Sequence, residues 1–184
     1  MDENVSEVLI YRGLRTEFVG RNIIYLPTVS STMDIAKRAV GDRAAEGTIV
    51  IADEQTAGRG RIGRKWLSPP GTSVLLSIIL KPKLAELSHL NMAAALATAQ
   101  SIEKVTGIKP VIKWPNDVII EGKKVSGMLI ESDIQDDTIN SAIVGIGVNV
   151  NLDPSALSEI KDTATSLREV LGEEVSRLEL LTAL

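Results

Sequence analysis

Arg59, Arg61, Arg64 and Lys65 are interleaved with Gly58, Gly60 and Gly63, which puts four cations within seven residues. Glycine tolerates positive φ and lets backbone N–H groups converge on an anion, and each guanidinium offers a planar fork of donors to phosphate oxygens. The expected chemistry is capture of a phosphate-bearing ligand. The spacing is not that of the nucleotide-binding P-loop, because no Gly-Lys pair closes it. A solvated linker or an RNA-contacting loop would use the same residue types. No acidic residue occurs from Thr56 to Pro82, so the free loop is expected to be mobile and to become ordered when phosphate supplies the missing charge.

A second cluster is Lys113-Trp114-Pro115-Asn116-Asp117. Pro115 restricts the turn and biases Trp114 toward an extended form. Lys113, at the end of a short strand, is expected to hold its ammonium at a fixed point beside a carboxylate and an α-phosphate, as an electrostatic stabiliser and not as a base. Asn116 and Asp117 can cap the turn or face a metal that neutralises phosphate. The competing reading is a snorkelling lysine followed by a capped turn. Lesser signals are the hydroxyls of Ser30, Ser31 and Thr32 at a helix start, glycines inside strands at 127, 145 and 147, and Asn149 at a strand end.

The elements that must carry these residues follow from periodicity. A short helix within 5–18 precedes a strand from Asn22 to Leu26, which Pro27 is expected to end. A helix spans Met33–Val40 and a buried strand Thr48–Ala52. The segment 56–72 reads as a long loop, a length that in a compact domain usually marks function or disorder. A strand from Ser73 to Leu80 and a helix from Leu87 to Val105 follow. Strands Val111–Lys113, Val118–Ile120, Lys124–Asp133 and Asn140–Val150 complete the sheet, the last three as an antiparallel meander, with helices around Thr165–Leu171 and from Ser176. This order predicts an α+β domain with a mixed, largely antiparallel sheet packed against helices. The apolar end Leu180-Leu181 lacks a stop signal and suggests continuation.

The chain of 184 residues supplies one principal core. Its formal charge of −4 argues against nucleic-acid binding over the whole surface. Cysteine is absent, which excludes disulfides and thiolate chemistry, and with His89 as the single histidine a structural zinc site is implausible. No signal peptide or membrane span is legible, so a cytoplasmic protein is the expectation.

Taken together, Ser30-Ser31-Thr32, the GRGRIGRKWLSPPG segment, KWPNDVII from Lys113, KVSGMLIES from Lys124, GIGVNVN from Gly145 and ATSL from Ala164 resemble the biotin protein ligase family. The resemblance implies the class II aminoacyl-tRNA synthetase-like biotin/lipoate ligase fold over residues 1–184. It implies ATP-dependent formation of biotinyl-5′-AMP, with Mg²⁺, then transfer to a lysine of a biotin carboxyl carrier protein. Carried over by position, Ser31, Thr32, Gln55, Gly58, Arg59 and Gly127 would bind biotin. Arg61, Arg64, Trp66, Lys113, Asn116 and Asn149 would bind the nucleotide, with Lys113 and Arg59 at the reacting groups and Asn116 and Asp117 near the metal. Met33 stands where the family often has Asn. The resemblance further implies a homodimer, formed here through sheet edges. No DNA-binding domain is expected before the first strand, and the small β-barrel domain that usually follows the catalytic domain is expected to be missing. A lipoate or octanoate ligase and an RNA-binding module are the alternatives. Trp66 as the only aromatic of the loop disfavours the RNA module.

Overall fold

A computed structural model describes residues 5–136 and 138–184. The acidic Met1–Asn4 segment and Asp137 lie outside the described residues. Seven strands form one sheet in the order β1-β2-β3-β7-β6-β5-β4. They are β1 (Ile23–Val29), β2 (Ile49–Gln55), β3 (Ser73–Leu80), β4 (Val111–Lys113), β5 (Asp117–Ile120), β6 (Lys123–Gln135) and β7 (Thr138–Asn149). Only β1 and β2 pair in parallel; every other pair is antiparallel. The expected mixed α+β sheet and its meander are therefore present.

Helices cover both faces. On one side α1 (Glu7–Gly13), α3 (Leu90–Thr106), α4 (Leu167–Leu171) and α5 (Arg177–Ala183) pack over Ile49, Ile51, Val74, Leu76, Val144, Ile146 and Val148. On the other, α2 (Thr32–Gly41) sets Met33, Ala36 and Ala39 against Val50, Ile79 and Ile143. The period of two along each strand sorts neighbouring residues to opposite layers, so a register slip would exchange the two cores. Gly127, Gly145 and Gly147 lie on the α2 side, where β6 and β7 pair Gly127 with Gly147. Their missing side chains hollow that face out.

Pro27 does not end β1, which runs on to Val29. The ladder with β2 pairs Leu26 with Ala52 and Thr28 with Glu54. β1 is the edge strand, where a residue without an N–H is tolerated. The long helix begins three residues later than its periodicity suggests, because Leu84–His89 forms a 3-10 helix first. Leu180 and Leu181 are buried in the main core, and packing accounts for their apolar character. Asp53 in β2 accepts from Tyr25 and pairs with Arg177 of α5 at 2.8 Å, so α5 is also fixed by charge.

Candidate active site

At the start of α2, Ser31 caps the helix by accepting from the Met33 N–H at 3.3 Å. The next residue turns inward: the Thr32 N–H and hydroxyl donate to the Gln55 carboxamide oxygen at 2.7 and 3.1 Å. A backbone N–H can only donate, so the Gln55 oxygen must face Thr32 and its amide nitrogen is left for other partners. Ser31, Thr32 and Gln55 form the polar end of a cavity whose other walls include Met33, Leu129 and the backbone of Gly145 and Gly147. Met33 is nearly fully buried, and its sulfur lies 2.7 Å from where a Cβ on Gly145 would stand. The position that departs from the family pattern is thus part of the apolar wall.

The glycine and arginine segment crosses the mouth of this cavity. Gly58, Gly60 and Gly63 have the letter spacing of a dinucleotide fingerprint, but the chain passes into a 3-10 turn at Arg61–Gly63 and later into β3, with no helix to present its N-terminus. Gly58 is required by packing: a Cβ there would meet the Trp66 carbonyl oxygen at 2.5 Å. The cations do not stand without counter-charge. Arg59 pairs with Asp34 at 2.7 Å and Glu131 at 3.5 Å, and Lys37 also pairs with Glu131. The Asp34 hydrogen bond, ahead of the Coulombic effects of Asp34 and Glu131, raises the already high Arg59 pKa. Arg61 donates to Asn116 at 3.0 Å. The local sequence holds no acid to balance the loop; α2 and β6 supply it from elsewhere. Arg64 and Lys65 remain exposed, without an ion pair among the described residues.

A wider cleft opens on the far side of Trp66, lined by Arg64, Lys65, Lys113, Asp117, Lys124 and Asn149 among others. Asn149 is buried and donates through Nδ2 to the Thr165 carbonyl at 3.0 Å, which leaves its buried Oδ1 without a partner. That oxygen is an acceptor awaiting an N–H donor. Trp66 and Lys124 line both cavities and form the wall between them. The indole lies against the sheet where Gly147 and Gly127 have no side chains: Cβ atoms there would stand 2.6 and 3.2 Å from the ring. Lys124 extends over the same ring, with Nζ 5.7 Å from its centroid and 2.6 Å from Asp117.

Lys113 is placed differently from the expectation. β4 is an edge strand whose three residues are all exposed, so Lys113 faces the cleft from its rim and no rigid surroundings fix its ammonium. Lys124 has the fixed position at the junction, and residue types alone gave no reason to single it out. A lysine three residues before a strand glycine acquires meaning only when Gly127 brings Trp66 beneath it. Asn116 and Asp117 lie side by side, but Asn116 accepts from Arg61 and Asp117 pairs with Lys124. Among the described residues no cluster of three acidic or imidazole side chains could cage a metal. One carboxylate and one carboxamide suit Mg²⁺ only as a partner of bound phosphates.

Two cavities that meet at Trp66 and Lys124, the first with a polar end at Ser31, Thr32 and Gln55, thus lie on this mixed sheet. Residues 25–149 match the Biotin/lipoate A/B protein ligase family, and the chain belongs to it. It is 46% identical over 176 residues to the bifunctional ligase/repressor BirA of Bacillus subtilis, covering 94% of this chain and 54% of that protein. The chain thus spans about half the length of this curated relative. The fold is similar to that of a biotin protein ligase from Aquifex aeolicus in complex with biotin and ATP, with a TM-score of 0.75 and 40% identity over 89% of this chain and 68% of the other. It is likewise similar to a biotin protein ligase from Leishmania major in complex with biotinyl-5-AMP, with a TM-score of 0.75 and 28% identity over 89% and 71% of the two chains.

Proposed function

We propose that the chain joins biotin to ATP to give biotinyl-5′-AMP and pyrophosphate, then passes the biotinyl group to a lysine of a biotin carboxyl carrier protein. The observation that carries this reading is the pair of cavities meeting at Trp66 and Lys124. The first suits biotin: Gln55 Nε2 and the Ser31 hydroxyl can face the ureido carbonyl, and Met33 and Leu129 the apolar ring and chain. The second suits the nucleotide, with the free Asn149 oxygen for the adenine amine and Arg64 and Lys65 for phosphate. Biotin enters with its carboxylate toward the wall, where an oxygen attacks the α-phosphorus as the bond to pyrophosphate breaks.

Lys124 stands nearest that point and Lys113 on its rim; both stabilise the oxygens that gain charge. Arg59 leaves Asp34 and Glu131 as the loop closes, and Arg61 turns from Asn116 to the phosphate. Asn116 and Asp117 would supply protein oxygens to a Mg²⁺ bound with the ATP phosphates, where the ion would offset their charge. In the second step the carrier amine attacks the acyl carbon, AMP departs with the bonding pair, and the amine proton passes to solvent.

Self-association through a sheet edge and a cytoplasmic setting belong to the same proposal. The β1 edge is blunted by Pro27 and by the Tyr25 N–H donating to Glu7 at 3.3 Å. The β4 side is open and carries Val111 and Trp114, 61% and 83% exposed, which makes it the favoured edge for a second copy. No helix among the described residues is long and apolar enough to cross a membrane.

The test is exchange of labelled pyrophosphate into ATP, with biotin, lipoate or octanoate added in parallel. Biotin alone is expected to support exchange. Exchange driven equally by all three acids, or by none, overturns the assignment.

A further inference from the structure

Behind the polar end of the first cavity lies a hydroxyl that no sequence motif marks. Ser77 is in β3, fully buried, and its Oγ is 2.8 Å from the Thr32 Oγ1. The direction of this contact follows from the groups beyond it. The Gln55 oxygen carries no proton, so the Thr32 hydroxyl, 3.1 Å away, places its own proton there. Ser77 must then donate to Thr32. The chain of donors runs Ser77 to Thr32 to Gln55, and the Thr32 N–H adds a second donor to the same Gln55 oxygen at 2.7 Å.

We propose that Ser77 is a positioning residue for ligand recognition, acting through Thr32 to fix one acceptor lone pair of the Thr32 hydroxyl beside the donors of the Gln55 amide. The floor of the cavity is thereby matched to a ligand edge that pairs an N–H with a C=O, as a cyclic urea does. This inference rests on the biotin reading above and adds a specificity element to it. Ser77 occupies one lone pair of the Thr32 oxygen and Gln55 takes its proton, so the donor behind Thr32 acts by holding the remaining lone pair in one direction. A buried serine hydroxyl is costly unless it is hydrogen-bonded, and the Ser77 hydroxyl is fully buried and bonded to Thr32.

The test is a double-mutant cycle on biotin affinity, measured by calorimetry on the whole chain with Ser77→Ala, Thr32→Val and the double variant. Ser77→Ala is expected to raise the biotin Kd about five- to tenfold, because a Thr32 hydroxyl free to turn gives up the net worth of its hydrogen bond to the ligand. In the Thr32→Val background the same change is expected to cost nothing further, because the relay is already cut. Ser77→Cys, which nearly preserves volume but donates weakly, is expected to follow Ser77→Ala, and kcat for pyrophosphate exchange at saturating biotin is expected to stay within about twofold of the parent. Additive losses, or a Ser77→Cys variant that binds like the parent, would show that Ser77 only fills space. If Ser77→Ala does not fold, the Ser77→Cys arm carries the same cycle. Failure of the unsubstituted protein to bind biotin would instead overturn the functional reading, a result that the cycle keeps separate.

Discussion

In the proposed reaction, Lys124 faces the reacting groups and Asn149 the adenine. Lys124 touches Asp117 and stands above Trp66 where the two cavities meet, so its ammonium is aimed before any ligand arrives. Replacing it with Ala is expected to lower kcat for exchange about 100-fold, the scale of losing one preorganised donor to a developing charge. Lys113→Ala is expected to fall short of that loss, because the rim residue is exposed; a larger effect from Lys113 would reverse the ranking. Asn149→Ala removes a buried acceptor already held in place by the Thr165 carbonyl. The expected result is a KM for ATP raised about tenfold with biotin affinity unchanged, read from exchange rates at varied ATP. The letters of the glycine and arginine segment and of KWPND drew attention to stretches that line the two cavities. They did not single out Lys124 or Ser77, whose importance comes from neighbours far away in the chain.

At the scale of elements, the loop is best understood through what holds each end. Its base follows β2, where Asp53 binds Tyr25 and Arg177, and its crown is tied by Arg59 to α2 and β6. Burial, then hydrogen bonding to Asp53, pushes the Tyr25 phenol up to about 12. A raised folded-state pKa means that this contribution to stability is whole below the ordinary tyrosine value near 10 and is lost as pH climbs toward 12. Urea midpoints followed into the alkaline range should therefore fall more steeply for the parent than for Tyr25→Phe. At neutral pH Tyr25→Phe is expected to cost about 1 kcal/mol. Gly147→Ala tests the other tie. A Cβ 2.6 Å from the Trp66 ring must displace the indole, and because Trp114 is exposed, loss of the quencher-shielded tryptophan emission reports that displacement directly. Unchanged shielding would mean that the wall between the cavities can yield without moving Trp66.

Over the whole molecule, the two sheet faces do different work. The face under α1, α3, α4 and α5 holds the larger core, and the α2 face is hollowed by glycines beside the first cavity. In the proposed function, core packing and recognition are thus separated by the strand period of two. The two edges differ as well, one closed by Pro27 and Glu7, the other open at β4. Val111→Lys with Trp114→Lys is expected to shift sedimentation toward the monomer, at saturating biotin and ATP, with exchange activity retained. A dimer that persists in this variant would place the contact elsewhere.

The sequence by itself determined the element order and the mixed sheet. Hydrophobic period, turn residues and local charge are properties of short stretches, and those stretches fold much as their composition demands. Only the tertiary structure decided which lysine stands at the junction, which acids balance the loop and which hydroxyl lies behind Thr32. Each of those pairings closes a large gap in the chain: Arg59 with Glu131, Ser77 with Thr32, and Trp66 with Gly147. Contacts of that kind depend on strand register and on the side of the sheet to which a helix packs, and neither is encoded within the span of a motif.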